Sequence, residues 1–264
     1  MFACEVADRV ATVTMNAPPV NAMSDAWVAG FARLLDGLEA RADWSVLHLR
    51  SALAVFAAGA DLKEMRGRFL AMDGVEAQLA AVRGYQALFA RIEALARVTV
   101  AEIGGAALGG GLELALACDL RVAARAATLG LPELRLGLLP GAGGTQRLTR
   151  LCGRAVALRL ILGAEILDGA AAARLGLVQW SEPASELPAA AAAIARRYAA
   201  LPAHAAAAAK SCITAAADPG VDGFRQEIAQ TRALLQNDET RALVRGFLDR
   251  SPPQRDGKEV LRWK

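Results

Sequence analysis

Val98-Thr99-Val100-Ala101-Glu102-Ile103-Gly104-Gly105-Ala106-Ala107-Leu108-Gly109-Gly110-Gly111-Leu112-Glu113-Leu114-Ala115-Leu116-Ala117-Cys118 is the stretch on which the fold turns. Val98 to Ile103 is β-branched enough for a strand, and Leu112 to Cys118 is an apolar helical pattern. Between them lies a run of glycine and alanine that lets the backbone turn tightly and lets a ligand approach it. A second glycine turn, Pro140-Gly141-Ala142-Gly143-Gly144, leads into a helical pattern near Thr145 to Leu151. Neither is a nucleotide loop. Counted from Gly109, the third glycine of G-x-G-x-x-G falls on Leu114, and counted from Gly141 it falls on Gln146. No Gly-Lys-Ser/Thr triplet closes either turn.

Outward from this centre the chain alternates strands and helices. Val10 to Met15 and Ser45 to Arg50 read as strands. Ser24 is placed to cap a helix to about Ala40, with Trp27, Phe31, Leu34, Leu35 and Leu38 on one face. Phe56 to Asp61 reads as a loop, Val75 to Leu95 as a long helix, and Leu120 to Ala123 and Thr128 to Gly130 as short strands. From Ser185 the pattern is nearly all helical, with breaks at Leu201-Pro202 and Asp218-Pro219-Gly220. The expectation is an α/β body over residues 1–184 and a helical region over 185–264.

Composition narrows the chemistry. With 264 residues, 55% of them hydrophobic and 22% charged, the chain has the make-up of a soluble globule with a sizeable core. The net charge of +3 is dispersed, which speaks against nucleic acid as a partner. Cys4, Cys118, Cys152 and Cys212 form no CxxC pair, so no zinc site or disulfide framework is expected. Reduced thiols, no signal segment and no apolar stretch of membrane-spanning length point to the cytoplasm. His48 and His204 have neither a G-x-S-x-G serine nor an H-E-x-x-H partner and read as structural. Two carboxylates remain. Glu113 lies in the first turn after Gly111, and Glu133 follows Pro132; each lies in apolar surroundings beside a turn of small residues. Singly, one is explained as a helix-end charge and the other as a turn residue. Sharing a pocket, they would push one pKa upward and supply an acid and a base.

The segments Phe56-Ala57-Ala58-Gly59-Ala60-Asp61-Leu62-Lys63-Glu64-Met65, Ala107 to Glu113, Pro132-Glu133 and Leu136 to Leu148 resemble the signature segments of the enoyl-CoA hydratase/isomerase (crotonase) superfamily, in order and at about its spacings. The resemblance implies a ββα spiral core followed by helices that build trimers or dimers of trimers. It implies a hydratase that adds water across the 2,3 double bond of a 2-enoyl-CoA, giving a 3-hydroxyacyl-CoA. In that reading Glu113 is the base and Glu133 the proton donor, and the amides of Ala60 and Gly110 form an oxyanion hole. Ala60, Asp61, Leu62, Lys63 and Gly110 lie along the thioester and coenzyme A, with Ala58 near the adenine. No cofactor is held tightly, since coenzyme A arrives as part of the substrate, and no metal is called for. Arg250 stands where a lysine is frequent and offers a phosphate contact. The alternatives are an enoyl-CoA isomerase or other acyl-CoA enzyme of the superfamily, or, in another class, an idle scaffold or RNA-binding protein of this fold. The intact glutamate pair and the lack of a basic helix face speak against the last.

Overall fold

The computed structural model of the protein describes the backbone of residues 1–250 and the side chains of residues 1–249. It forms two compact units, Met1–Leu201 and a second that begins at Pro202. The first unit opens with the antiparallel pair β1 (Phe2–Ala7) and β2 (Val10–Met15). There follow α1 (Asp25–Glu39), β3 (Val46–Ser51), α2 (Leu62–Leu70), α3 (Gly74–Ala94), β4 (Val98–Ile103), β5 (Ala107–Leu108), α4 (Gly110–Ala117), β6 (Leu120–Ala124) and β7 (Thr128–Gly130). A 3₁₀ turn, Glu133–Leu136, then precedes α5 (Gly144–Leu162), β8 (Ile166–Asp168), α6 (Gly169–Arg174), β9 (Trp180–Glu182) and α7 (Leu187–Ala199).

One sheet has the order β1-β2-β3-β4-β6-β9, parallel from β2 onward; a smaller one has the order β5-β7-β8. Each crossover between parallel strands carries a helix, as parallel pairing requires. The mixed α/β expectation holds. Several elements sit where the pattern puts them. Ser24 Oγ accepts from Trp27 N at 3.1 Å, and Trp27, Phe31, Leu35 and Leu38 of α1 are buried. Glu113 apart, the helix α4 is apolar all round because it is enclosed all round, with every residue from Gly111 to Ala117 buried.

Among the elements that go beyond the sequence reading are β1, α2 and the far half of α5. The strand β1 places Phe2 and Val6 four residues apart and half-buried, a spacing without clear alternation. No residue of α2 is buried, so it shows no apolar stripe. The helix after the second glycine turn continues to Leu162 across a kink at Gly153, where φ is 80°. The alanines of α7 have a packing role: Ala191, Ala195 and Ala199 are buried where the helix meets β3, β4 and β6.

The second unit holds α8 (Ala203–Ala215), α9 (Gly223–Gln236) and α10 (Asp238–Arg250). His204 links α8 to α10, with Nε2 2.9 Å from Thr240 Oγ1 and Nδ1 3.0 Å from Glu239 Oε2. That is the structural role expected of it. The Arg250 side chain lies outside the described residues. No helix among the described residues is long and apolar enough to cross a membrane.

Candidate active site

The site begins with how the loop after β3 is held. Phe56 N and Ala57 N both donate to Ala106 O, at 2.9 and 3.1 Å, and Leu108 N donates to Ala57 O at 3.1 Å. On the other flank Met23 N donates to Gly59 O at 2.8 Å, and Asp61 N donates to Met23 O at 3.2 Å. These bonds use the Gly59 carbonyl and the Asp61 amide, and the Ala60 N–H, trans to that carbonyl across the peptide bond, points the other way. Tyr85 of α3, buried, donates its hydroxyl to the same Met23 carbonyl.

Opposite lies the start of α4. Gly109 has φ 52° and ψ −127°, a conformation that requires glycine. Gly110 is the first residue of the helix, so its amide has no intrahelical acceptor. A Cβ on Gly110 would lie 3.5 Å from Ala60 N and would strike the Met23 methyl. The two backbones therefore approach closely. Among the described residues, neither the Ala60 nor the Gly110 amide has a hydrogen-bond acceptor.

Glu113 lies one turn further along α4 and is 3% exposed. Its Oε1 accepts from Gly144 N, the first amide of α5, at 2.7 Å. Burial pushes its pKa up to about 7; the Gly144 and Ala142 amides and the Arg147 charge oppose the rise, and the Glu133 charge adds to it. Arg147 itself is tied to Glu93 at 2.9 Å. Glu133 opens the 3₁₀ turn, where a Cβ on Gly109 would lie 3.0 Å from its Oε1. Its Oε2 is buried with no hydrogen-bond partner among the described residues, and burial raises its pKa as well.

The structure thus brings Ala60, Gly110, Glu113 and Glu133 around one turn. Ala58, Asp61, Leu62 and Lys63 lie along the same loop and the start of α2. Asp61 caps that helix, its Oδ1 accepting from Lys63 N at 2.8 Å and Glu64 N at 3.2 Å. Ala58, Leu62 and Lys63 are exposed. Sequence reasoning did not reach Met23, Tyr85 or the Gly144 amide. Only the last left a signal, because the turn from Gly141 to Gly144 reads as an anion site. The anion it holds is the chain's own Glu113.

Known proteins share this fold and sequence pattern. A family model described as enoyl-CoA hydratase/isomerase matches residues 5–258. A probable enoyl-CoA hydratase of Mycobacterium bovis is 34% identical over 248 residues, 93% of this chain and 94% of that one. A probable enoyl-CoA hydratase of Bacillus subtilis is 46% identical over 170 residues, which span 64% of each protein. The crystal structure of an enoyl-CoA hydratase from Bacillus anthracis superposes with a TM-score of 0.87 at 32% identity, covering 97% of this chain and 99% of the other. On fold and sequence alike, the chain belongs to the enoyl-CoA hydratase/isomerase family and has the crotonase fold.

Proposed function

We propose that the protein hydrates 2-enoyl-CoA thioesters to 3-hydroxyacyl-CoA. The observation that carries this reading is the pairing of two carboxyls, Glu113 and Glu133, beside two amides that have no acceptor among the described residues. The thioester oxygen accepts from Ala60 N and Gly110 N, which meet the charge that develops as the enolate-like transition state forms. Donors placed in advance for such charge are each worth about 2.7–4 kcal/mol.

A water held between the carboxyls attacks C3. As its hydroxyl bonds to C3, Glu113, with a pKa near the working pH, takes the water's proton, which reaches C2 by way of Glu133. Hydroxyl and hydrogen are thereby added across the double bond. A buried Glu133 Oε2 with no partner among the described residues suits a carboxyl that passes a proton to a reactant. Retention of both glutamates favours hydration over migration of the double bond. The scheme needs no resident cofactor.

Coenzyme A is placed along Ala60, Asp61, Leu62 and Lys63, with Ala58 toward the adenine. The helical region is assigned to trimers or dimers of trimers in the cytoplasm; exposed Phe224, Ile228 and Leu235 support an assembly surface. The test is the fall in absorbance of short and long 2-enoyl-CoA substrates when purified protein is added, with product identified as the 3-hydroxy thioester. A shifted double bond as sole product assigns isomerisation instead. No turnover across chain lengths, with salt-sensitive RNA binding, assigns the scaffold reading. Light scattering reads the assembly.

A further inference from the structure

Arg121 is among the largest fully buried side chains, at 2% exposure, and the chemistry above leaves it unused. It stands on β6, just past the end of α4. Its Nη1 donates to Ala115 O at 3.2 Å and Cys118 O at 2.6 Å, Nη2 to Asp119 O at 3.3 Å, and Nε to Leu177 O at 2.8 Å. Gln179 Oε1 completes the set, 3.3 Å from Nη2 and 2.8 Å from Arg121 N. No carboxylate forms an ion pair with the guanidinium among the described residues. The nearby Asp119 directs Oδ2 to Thr99, 2.8 Å from its N and 3.0 Å from its Oγ1.

A buried cation is normally matched by an anion. Here the compensation comes mainly from carbonyl oxygens, including those at the C-terminal end of α4, where the helix dipole is negative, and the charge of nearby Asp119 adds to it. The opposite end of the same eight-residue helix, about 12 Å away, carries Gly110 and, one turn in, Glu113. We propose that Arg121 is a positioning residue for the oxyanion hole: it fixes the last turn of α4 and holds a positive charge behind the helix whose first amide faces the thioester oxygen. The inference rests on the assignment of Gly110 to that hole.

A unit charge about 12 Å from a developing charge, at an effective dielectric near 20, corresponds to roughly a tenfold effect on a rate. The variants are Arg121→Met and Arg121→Gln, which remove the charge, and Arg121→Lys, which keeps it. Crotonyl-CoA turnover gives kcat and KM. A conjugated aryl-enoyl-CoA gives a second readout, the red shift of its absorbance when the bound carbonyl is polarised. Expected in folded neutral variants are a kcat lowered about tenfold or more, a KM changed less, and a smaller red shift, with all three restored by lysine. Unchanged kcat and red shift in a folded neutral variant would overturn the proposal and leave the hydratase reading standing. If both neutral variants fail to fold while Arg121→Lys folds and works, the residue serves stability alone, and the proposal is equally lost. A wild-type protein that binds the aryl-enoyl thioester with no red shift removes the oxyanion-hole reading itself, and this inference with it.

Discussion

The amide of Gly144 donates to Oε1 of Glu113 at 2.7 Å, so the first residue of one helix fixes a carboxylate projecting from another. Because this bond favours the ionised form while burial opposes it, Glu113 is left near neutrality instead of far above it. Replacing either site glutamate with glutamine keeps shape and removes proton transfer. Glu113→Gln and Glu133→Gln are each expected to lower turnover of a 2-enoyl-CoA by about 10²–10⁴-fold. Unfolding curves should stay cooperative. Wild-type turnover in both variants would dismiss the pair from the mechanism.

The same carboxyl makes stability depend on pH. Its folded pKa of about 7 lies above the ordinary 4.5, so below pH 4.5 both states are protonated and the contribution is fully present. As pH rises toward 7 the unfolded chain releases a proton that the folded chain keeps. Stability then falls by on the order of 3 kcal/mol. Glu113→Gln has no proton to hold, so its advantage over wild type should widen between pH 5 and pH 8 in urea unfolding. Parallel curves would contradict this.

Kinetics give an independent reading of the coupling. The Glu133 charge raises the Glu113 pKa. With Glu133→Gln that charge is gone, and the acidic limb of kcat/KM for the residual activity should move to lower pH than in wild type. The profile is measured from pH 5 to pH 9 with one substrate. A limb that stays in place, or moves upward, would separate the two carboxyls.

Met23 and Gly110 offer a steric test. A methyl group on Gly110 would strike the Met23 methyl. Gly110→Ala is expected to cost about 1–3 kcal/mol through overpacking. Met23→Ala alone leaves a cavity and costs about 2–5 kcal/mol. Together the changes relieve one another, so the double variant should be less destabilised than the sum. Simple additivity in urea unfolding would mean that the two do not meet.

What the sequence reveals here follows from how each element is stabilised. The helix α1 is legible because Ser24 caps it and its buried residues recur at helical spacing. The helix α2 is not, because its only strong local cue is the Asp61 cap and none of its residues is buried. At the site, Glu113 and Glu133 stand out as carboxylates in apolar company. Met23 and Tyr85 do not, since the Met23 contribution is mainly its backbone and Tyr85 reaches it from α3. His48 shows the same limit: a strand histidine reads as structural, but its partner is set by register.

That partner is Glu102. His48 on β3 and Glu102 on β4 meet through Nε2 and Oε2 at 2.8 Å, with side chains 5% and 9% exposed. Their strands run parallel with His48 opposite Val100, so Glu102 is two residues on and faces the same side. Removing one partner leaves a buried polar group unmatched, at a cost of about 3–5 kcal/mol. His48→Leu and Glu102→Leu should each show that loss. The double variant replaces the pair with apolar packing and should recover much of it, giving a coupling energy well beyond measurement error. Turnover per folded molecule should be unchanged, because the pair lies in the sheet and not among the groups around Gly110. Two additive losses would show that packing alone holds these side chains.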